Sequence, residues 1–224
     1  MNTKPILGAG GILGAFAIAG VGLVVVTNSL TEERITTNLR EAMLAKFSAI
    51  LPTNPGTETP LMDNDPLADR IQVSAPDLLG GYATDVYRVR QGGQPVAVIL
   101  NPTVPDGYAG PIRLLVAVKT DGTLGGVRVL SHHETPGLGD RIEERKSDWI
   151  KVQFDGKGLG QPPEDRWLVK RDGGDFDQFT GATITPRSIV KTVKNTLKYV
   201  AREGDALFAK PAEIAPAPGS KEAS

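Results

Sequence analysis

A long uncharged run near the amino end constrains this chain most, because such a run must enter a lipid bilayer or be removed. No charged residue occurs between residues 6 and 26, and a membrane-spanning helix needs roughly 20 such residues. Signal peptides usually have a shorter apolar core, and no clear small-residue cleavage site follows the run before Thr31. We therefore expect a retained single-pass anchor in the lipid bilayer, with a cleaved signal peptide as the alternative.

The segment after the anchor has the pattern of a second helix, which either continues the anchor or packs on the domain. Ser29 and Glu32 have the spacing of a capping box, and Pro52 ends the periodic pattern. One face of this helix carries apolar residues at helical spacing: Ile35, Leu39, Met43, Phe47 and Ile50. Lys4 precedes the anchor and Glu32 follows it, which favours a cytoplasmic amino end and a domain in the periplasm.

Composition and periodicity divide the chain into four regions. Residues 1–28 contain the anchor, 29–70 the juxtamembrane helix and a loop, and 71–203 a folded domain. Residues 204–224 are rich in Ala, Pro, Ser, Lys and Glu, so we expect a disordered tail with too little apolar surface to fold.

The folded domain has segments with strand character joined by glycine-containing turns. Gly92-Gly93 and Asp121-Gly122 are two-residue turns of the kind that join antiparallel strands. The expected strands are residues 82–90, 95–100, 111–119, 126–132 and 166–171, and a helix capped by Asp140 and Glu143 is expected through Arg145. Hairpins argue against a doubly wound nucleotide-binding fold. We predict an α+β protein, in which an N-terminal transmembrane helix precedes a mixed, largely antiparallel sheet with packed helices.

Composition excludes several kinds of site. The chain has no cysteine, so it cannot hold a disulfide, a cysteine-ligated iron–sulfur cluster or an attached c-type haem. Its histidines are His132 and His133, which as neighbours on a strand face opposite sides and cannot share one metal. A net charge of -1 gives no support to nucleic-acid binding. We expect no metal site and no catalytic nucleophile–base pair, and any electron carrier should be organic.

The strongest local motif is Thr180-Gly181-Ala182-Thr183-Ile184-Thr185, which lies directly before a predicted helix. Pro186 suits the first helical position, which would make Thr185 the N-cap. The helix is marked by apolar residues at helical spacing: Ile189, Val190, Val193, Leu197 and Val200. A helix N-terminus favours a phosphate group, and Gly181 and Ala182 would let that group approach the backbone.

Two motifs together resemble a known family. The first is similar to the [Ser/Thr]-Gly-Ala-[Ser/Thr]-x-Thr signature of FMN-binding domains in membrane redox complexes. The second, His132-His133-Glu134-Thr135-Pro136-Gly137-Leu138-Gly139-Asp140, resembles the Glu-Thr-Pro-Gly-Leu-Gly loop of the same family. The resemblance covers residues 82–200 and is strongest to the G subunits of Rnf ion-translocating electron transport complexes.

The resemblance implies a cofactor and its site. FMN would be attached covalently through its phosphate to the last threonine of the first motif, Thr185, with Thr180, Gly181, Ala182 and Thr183 around it. The loop of the second motif would lie against the flavin ring, where Glu134 and Thr135 offer polar groups and Leu138 and Gly139 allow close apolar contact. These assignments come from the family and not from spacing.

The resemblance also implies a role and a cellular setting. The chain would relay electrons within an ion-translocating complex of the bacterial inner membrane, with no independent catalytic activity. Its partners would be the other membrane proteins of an Rnf-type complex and a flavin transferase that moves FMN from FAD onto the threonine.

Two alternatives remain open on the sequence. The C subunit of the sodium-pumping NADH:quinone reductase shares the flavin motif and an anchor, although residues 108–113 and Gly137-Leu138-Gly139-Asp140 are more similar to the Rnf relative. A cofactor-free, membrane-anchored assembly protein is the other alternative.

Overall fold

The computed structural model describes residues 4–54, 56 and 59–212, with the backbone alone for residues 4–10 and 33. The chain divides between Met43 and Leu44 into an N-terminal helical unit and a compact unit, Leu44–Ala215. The compact unit is thus wider than the predicted domain of residues 71–203.

One continuous helix, α1, runs over Lys4–Ser48. The predicted capping box at Ser29 is wrong, because Ser29 lies inside α1, whereas the alternative in which this helix continues the anchor is confirmed. Threonine hydroxyls next to this position donate to carbonyls one turn earlier, from Thr27 to Leu23 and from Thr31 to Thr27, each at 2.8 Å. Such bonds satisfy polar side chains within a helix, so the polar segment does not interrupt it.

The N-terminal part of α1 is a candidate membrane span, as the sequence predicts. From Gly11 onward α1 is long and apolar enough to cross a bilayer. Its large apolar side chains are exposed, including Phe16, Leu23 and Val25, which is the arrangement expected where lipid surrounds a helix. For residues 6–10 of the predicted span, the structure describes the backbone and not the side chains.

The compact unit is built on an antiparallel sheet, which has six strands within the described residues. The strands are β1 Arg70–Val73, β2 Thr84–Gln91, β3 Gln94–Leu100, β4 Thr103–Val104, β5 Ile112–Lys119 and β6 Leu124–Ser131. The strand order is β1-β2-β3-β5. Strand β6 pairs with the edge of β5 that faces away from β3. The short strand β4 pairs with β5 on the same edge as β3. The predicted hairpin turns are confirmed, and Gly92, Gly93 and Gly122 all have positive φ angles. The α+β fold class is therefore confirmed, and sequence reasoning missed β1 and β4.

Helices pack against this sheet: α2 Pro76–Leu79, α3 Trp149–Phe154, α4 Ile184–Glu203 and α5 Ala206–Ala209. The apolar face of α4 predicted from the sequence packs into the core with the sheet, and Ile189, Val193 and Leu197 are buried there. Trp149 and Phe154 of α3 join the same core. The sheet and α4 therefore form a fixed support for the segment that precedes α4.

Two predicted elements around α3 are wrong. Residues 166–171 are not a strand, since 3-10 turns occupy Glu164–Arg166 and Lys170–Asp172. Trp167 is buried there with its ring centroid 4.7 Å from that of Phe176, so an aromatic contact rather than a strand ladder fixes the segment. The predicted helix through Arg145 is instead a short 3-10 turn, Gly139–Ile142, because residues 134–140 use their polar groups within the loop.

The tail prediction is wrong for its first part. Helix α5 forms after Gly204, and Leu207 is fully buried. Arg88 donates to the carbonyl oxygens of Leu207 and Phe208 at 3.3 and 3.4 Å, so apolar burial and a buried cation together hold this end. Residues 213–224 of the predicted tail lie outside the described residues.

The C-terminal end of α1 belongs to the core of the compact unit. Phe47 and Ile50 are 0% and 1% exposed, and the ring of Phe47 lies 4.9 Å from that of Tyr87. Arg128 donates to the carbonyl oxygen of Ala49 at 3.0 Å. A soluble fragment must therefore begin no later than about Leu44.

Phe47→Ala should lower the free energy of unfolding by about 3–5 kcal/mol, because it removes a fully buried aromatic ring and leaves a cavity. Leu39→Ala is the matched control on the same helix, because Leu39 is 54% exposed and should change stability by less than about 0.5 kcal/mol. Urea unfolding of the full chain in detergent, followed by tryptophan fluorescence, measures both. Equal effects of the two variants would show that Phe47 does not belong to the core.

Candidate functional site

The two sequence motifs meet at one pocket of about 220 Å³. Its lining consists of Tyr108, Glu134, Thr135, Leu138, Gly139, Gly181, Ala182, Thr183, Ile184 and Thr185. Eight of the nine residues predicted from the sequence are in this set. The ninth, Thr180, lies exposed in the adjoining turn. The fold thus joins a loop after β6 to the segment that leads into α4.

A tight turn brings the first motif to the pocket. The Ala182 amide donates to the carbonyl of Phe179 at 3.1 Å, and Gly181 between them has a φ of +82°. A positive φ at the third position is what a type II turn requires, and glycine adopts it without strain. Gly181 is therefore needed for the direction of the chain as well as for close approach.

Helix α4 begins earlier than predicted, with Thr183 as the N-cap. The first helical hydrogen bond runs from the Arg187 amide to the Thr183 carbonyl at 3.2 Å. Thr185 as N-cap is thus wrong, because Pro186 sits in the first turn rather than at its first residue. Proline is tolerated there because the amides of that turn have no partner within the helix. In the described structure the Thr183 side chain makes no capping hydrogen bond.

The two threonines at this helix start have different surroundings. Thr185 lines the pocket wall but is 0% exposed, and its hydroxyl donates to a carboxylate oxygen of Glu134. Thr183 is half-buried at the pocket, and Arg171 donates to its hydroxyl oxygen at 3.4 Å. The Thr185 hydroxyl is therefore held in one direction, whereas Thr183 lies beside a cation.

Glu134 is directed inward. One carboxylate oxygen accepts the Thr185 hydroxyl, the other accepts the Ala109 amide at 3.0 Å, and the residue is 4% exposed. The Glu134 amide donates to Nδ1 of His132 at 3.0 Å. The carboxylate thus bonds to the protein itself, whereas the resemblance implied a polar group offered to a ring.

The loop that follows is closed by its own polar groups. The Leu138 amide donates to the Thr135 carbonyl at 3.1 Å, and the Gly137 amide donates to the side chain of Asp140 at 2.8 Å. Lys146 pairs with Asp140 at 3.3 Å. This closed turn leaves Leu138 44% exposed at the pocket.

Several charged side chains close in sequence to the two motifs are paired. Arg187 forms two hydrogen bonds with Asp172, at 2.6 and 2.8 Å, and this bonding lowers the pKa of the Asp172 carboxyl. Hydrogen bonds from Arg145 and then from His132 lower the pKa of Glu143. Arg171, which reaches Thr183, is therefore the cation best placed to meet an anion at the start of α4.

Sequence reasoning missed three residues of this site. Tyr108 and Ile184 line the pocket with 67% and 44% of their surface exposed, and Arg171 reaches Thr183. The similarity of residues 108–113 to one family was the available signal for Tyr108. Arg171 had none, because its approach depends on the irregular segment that was predicted as a strand.

A larger pocket of about 650 Å³ lies near the other end of α4. Its lining includes Val118, Leu197, Val200 and Phe208 with several turn glycines. None of the predicted site residues lines it, so its larger volume does not make it the better candidate.

Comparisons with known proteins agree with the two motifs. Residues 107–198 match the family model described as FMN-binding domain, and residues 1–50 match that of the RnfG N-terminal region. Several curated relatives are named as the G subunit of an ion-translocating oxidoreductase complex. One from Pseudomonas aeruginosa strain UCBPP-PA14 is 49% identical over 88% of this chain and 90% of its own.

Relatives with the same name occur in other genera. That of Vibrio atlanticus is 44% identical over 89% of this chain and 92% of its own. That of Shewanella baltica is 41% identical over 93% of this chain and 95% of its own. Identity at this level over nearly the whole length shows that the chain belongs to the family of G subunits of ion-translocating oxidoreductase complexes.

Proposed function

We propose that this protein is a membrane-anchored flavoprotein that relays electrons within an Rnf-type ion-translocating complex. The observation that carries the proposal is the pocket in which the two motifs meet at the N-terminus of α4. The names of the relatives favour this complex over a sodium-pumping NADH:quinone reductase. As an electron carrier within a complex, the protein needs no substrate site of its own.

The residues at the pocket suit the chemical groups of FMN. Tyr108, Leu138 and Ile184 present exposed apolar surface, which suits an aromatic ring. The first amides of α4 and the Arg171 guanidinium suit a phosphate. Bound FMN would supply the redox chemistry, while these residues hold it and tune its potential.

The covalent phosphate link belongs at Thr185 in this proposal, as the family motif implies. Thr185 is the last threonine of the motif, it lines the pocket, and it lies in the first turn of α4. Since Arg187 donates the first helical hydrogen bond, the amides of Ile184 and Thr185 have no partner within the helix and can meet a phosphate.

The structure alters the physical reason for this choice. Thr185 was expected to be the N-cap, and that place is taken by Thr183. What supports Thr185 instead is its fixed hydroxyl, which Glu134 directs at the inner wall of the pocket. Because Thr185 has no exposed surface, pocket residues other than Glu134 must give way at Thr185 while the link forms.

The setting of the site follows from the anchor. With a cytoplasmic amino end, the compact unit would lie in the periplasm of a bacterial cell, where a flavin transferase would attach FMN. The other partners would be the membrane proteins of the complex. Soluble substrates should not be oxidised by this chain alone.

Thr185→Ala should abolish flavin fluorescence of the protein band on a denaturing gel, because the phosphoester loses its oxygen. Thr185→Ser keeps a hydroxyl at the same place and should retain the band. Thr183→Ala should retain the attached flavin at a lower yield, because it changes the motif but not the linked oxygen. A dark Thr183→Ala band beside a bright Thr185→Ala band would assign the flavin to Thr183 instead. No fluorescence in the unaltered chain, made together with the transferase, would favour the cofactor-free alternative.

Thr135→Val should leave the flavin attached but change its spectrum or midpoint potential, because Thr135 lines the pocket. A hydrogen bond that differs by ~1 kcal/mol between the redox states would shift a two-electron potential by roughly 20 mV. Spectroelectrochemistry of the purified chain measures the shift. Val152→Ala, at an exposed position on α3, is the control and should shift nothing. Unchanged spectra and potentials for Thr135 and Leu138 variants would show that this loop is only a structural turn and does not influence the flavin.

A reporter enzyme fused after Ser224 should be active only in the periplasm, and carbonate-washed membranes should retain the fusion. The reason is the single uncharged span and the charges that flank it. Alkaline phosphatase and a cytoplasm-active fluorescent protein, fused in parallel, provide the two readouts. Activity of the cytoplasmic reporter would reverse the proposed orientation.

A further inference from the structure

A buried carboxylate connects three separate segments beside the pocket. Glu134 belongs to the loop after β6, Ala109 to the loop before β5, and Thr185 to the first turn of α4. The Ala109 amide donates to one Glu134 oxygen at 3.0 Å, and the Thr185 hydroxyl donates to the other. Each oxygen of the carboxylate therefore holds a different segment.

Two glycines leave room for this carboxylate. A Cβ atom on Gly139 would lie 2.5 Å from the Glu134 oxygen that accepts Thr185, and 3.1 Å from the Thr185 hydroxyl oxygen. A Cβ atom on Gly107 would lie 3.0 Å from the other Glu134 oxygen. A larger residue at Gly139 would displace the carboxylate, whereas at Gly107 a Cβ atom would first meet the Gly110 carbonyl oxygen, at 2.3 Å.

The segment held through Ala109 carries Tyr108, which lines the pocket with 67% of its surface exposed. A second contact fixes the other side of the same loop, because Ser188 of α4 donates to the Asp106 carbonyl at 2.7 Å. Glu134 and Ser188 therefore hold the loop from both sides of Tyr108, and loss of the Glu134 bond would free the half that follows it.

Flavin attachment would change only one of the two Glu134 bonds. The Thr185 oxygen would bond to the phosphorus of the FMN half of FAD, AMP would leave, and the hydroxyl proton would pass to solvent. An esterified oxygen has no proton to donate, so the bond from Thr185 to Glu134 is lost. The bond from Ala109 to Glu134 does not involve that proton and can persist.

We propose that Glu134 is a positioning residue, which orients the Thr185 hydroxyl for flavin attachment and holds the Tyr108 loop at the pocket. In this role the carboxylate acts through hydrogen bonds and not as the base that removes the Thr185 proton. The inference deepens the proposed function and rests on it for the attachment reaction. The link from Glu134 to Ala109 belongs to this chain and can be measured without flavin.

The first test is hydrogen exchange of the Ala109 amide in the full-length chain, made without a flavin transferase and studied in detergent. Glu134→Ala should lower protection of this amide roughly tenfold or more, since a hydrogen bond to a charged acceptor is lost. Glu134→Gln offers an oxygen in the same place and should retain most of the protection. Thr185→Val should also retain it, because it leaves the bond to Ala109 intact. Protection of the β5 amides reports whether each variant remains folded.

The second test is the rate of flavin transfer from FAD to the same chains by purified flavin transferase. Glu134→Ala should slow transfer roughly tenfold or more, because the Thr185 hydroxyl loses its direction. Glu134→Gln should stay within about threefold of the unaltered rate, because its amide group can bond to Thr185 without acting as a base. Val152→Ala, on an exposed face of α3, is the control and should leave the rate unchanged.

Unchanged Ala109 protection or an unchanged transfer rate in Glu134→Ala would overturn the inference. A Glu134→Gln chain that reacts as slowly as Glu134→Ala would also overturn it, because the negative charge rather than the hydrogen bond would then matter. If the unaltered chain accepts no flavin at all, the proposed function fails, while the exchange pattern still shows whether Glu134 holds the Tyr108 loop.

Discussion

Before flavin is attached, the site depends on one buried hydrogen bond, from the Thr185 hydroxyl to the Glu134 carboxylate. It joins two motifs that lie far apart in the sequence, and Gly107 and Gly139 leave the space that the carboxylate needs. A buried carboxylate without such partners would be costly. Because both of its oxygens have donors, Glu134 can stay in the interior and fix the loop that closes the pocket.

This interaction also separates the roles of the two threonines at the start of α4. The Thr185 oxygen is oriented by Glu134, whereas Thr183 is the N-cap and lies beside Arg171. A phosphate on Thr185 would share the pocket with the free amides of the first helical turn and with one cation. The pocket thus combines an anion site with exposed apolar surface from Tyr108, Leu138 and Ile184. A flavin mononucleotide has the two matching parts, a phosphate and an aromatic ring.

Much of the fold could be predicted from the sequence, because its signals are local. The length of the uncharged run indicated the anchor, and the glycine-containing turns indicated the hairpins. The helical spacing of apolar residues indicated α4. The errors arose where tertiary contacts override local pattern. Trp167 fixes an irregular segment that has the composition of a strand, and Leu207 supplies a polar tail with enough buried surface to fold.

For the site, the helix start was misplaced by two residues, since Pro186 is acceptable at more than one position of a first turn. Tyr108 and Arg171 reach the pocket through long-range packing, and only the family similarity of residues 108–113 gave a signal for Tyr108, while Arg171 had none.

Peptide mass spectrometry of the unaltered chain tests this account most directly. The protein is purified from membranes in which it is made with its flavin transferase, digested, and the fluorescent peptide is fragmented to locate the added mass. Our account predicts an FMN phosphoester on Thr185 within the peptide that contains residues 180–185. The same mass on Thr183 or Thr180, or an unmodified peptide from a fluorescent protein, would contradict it.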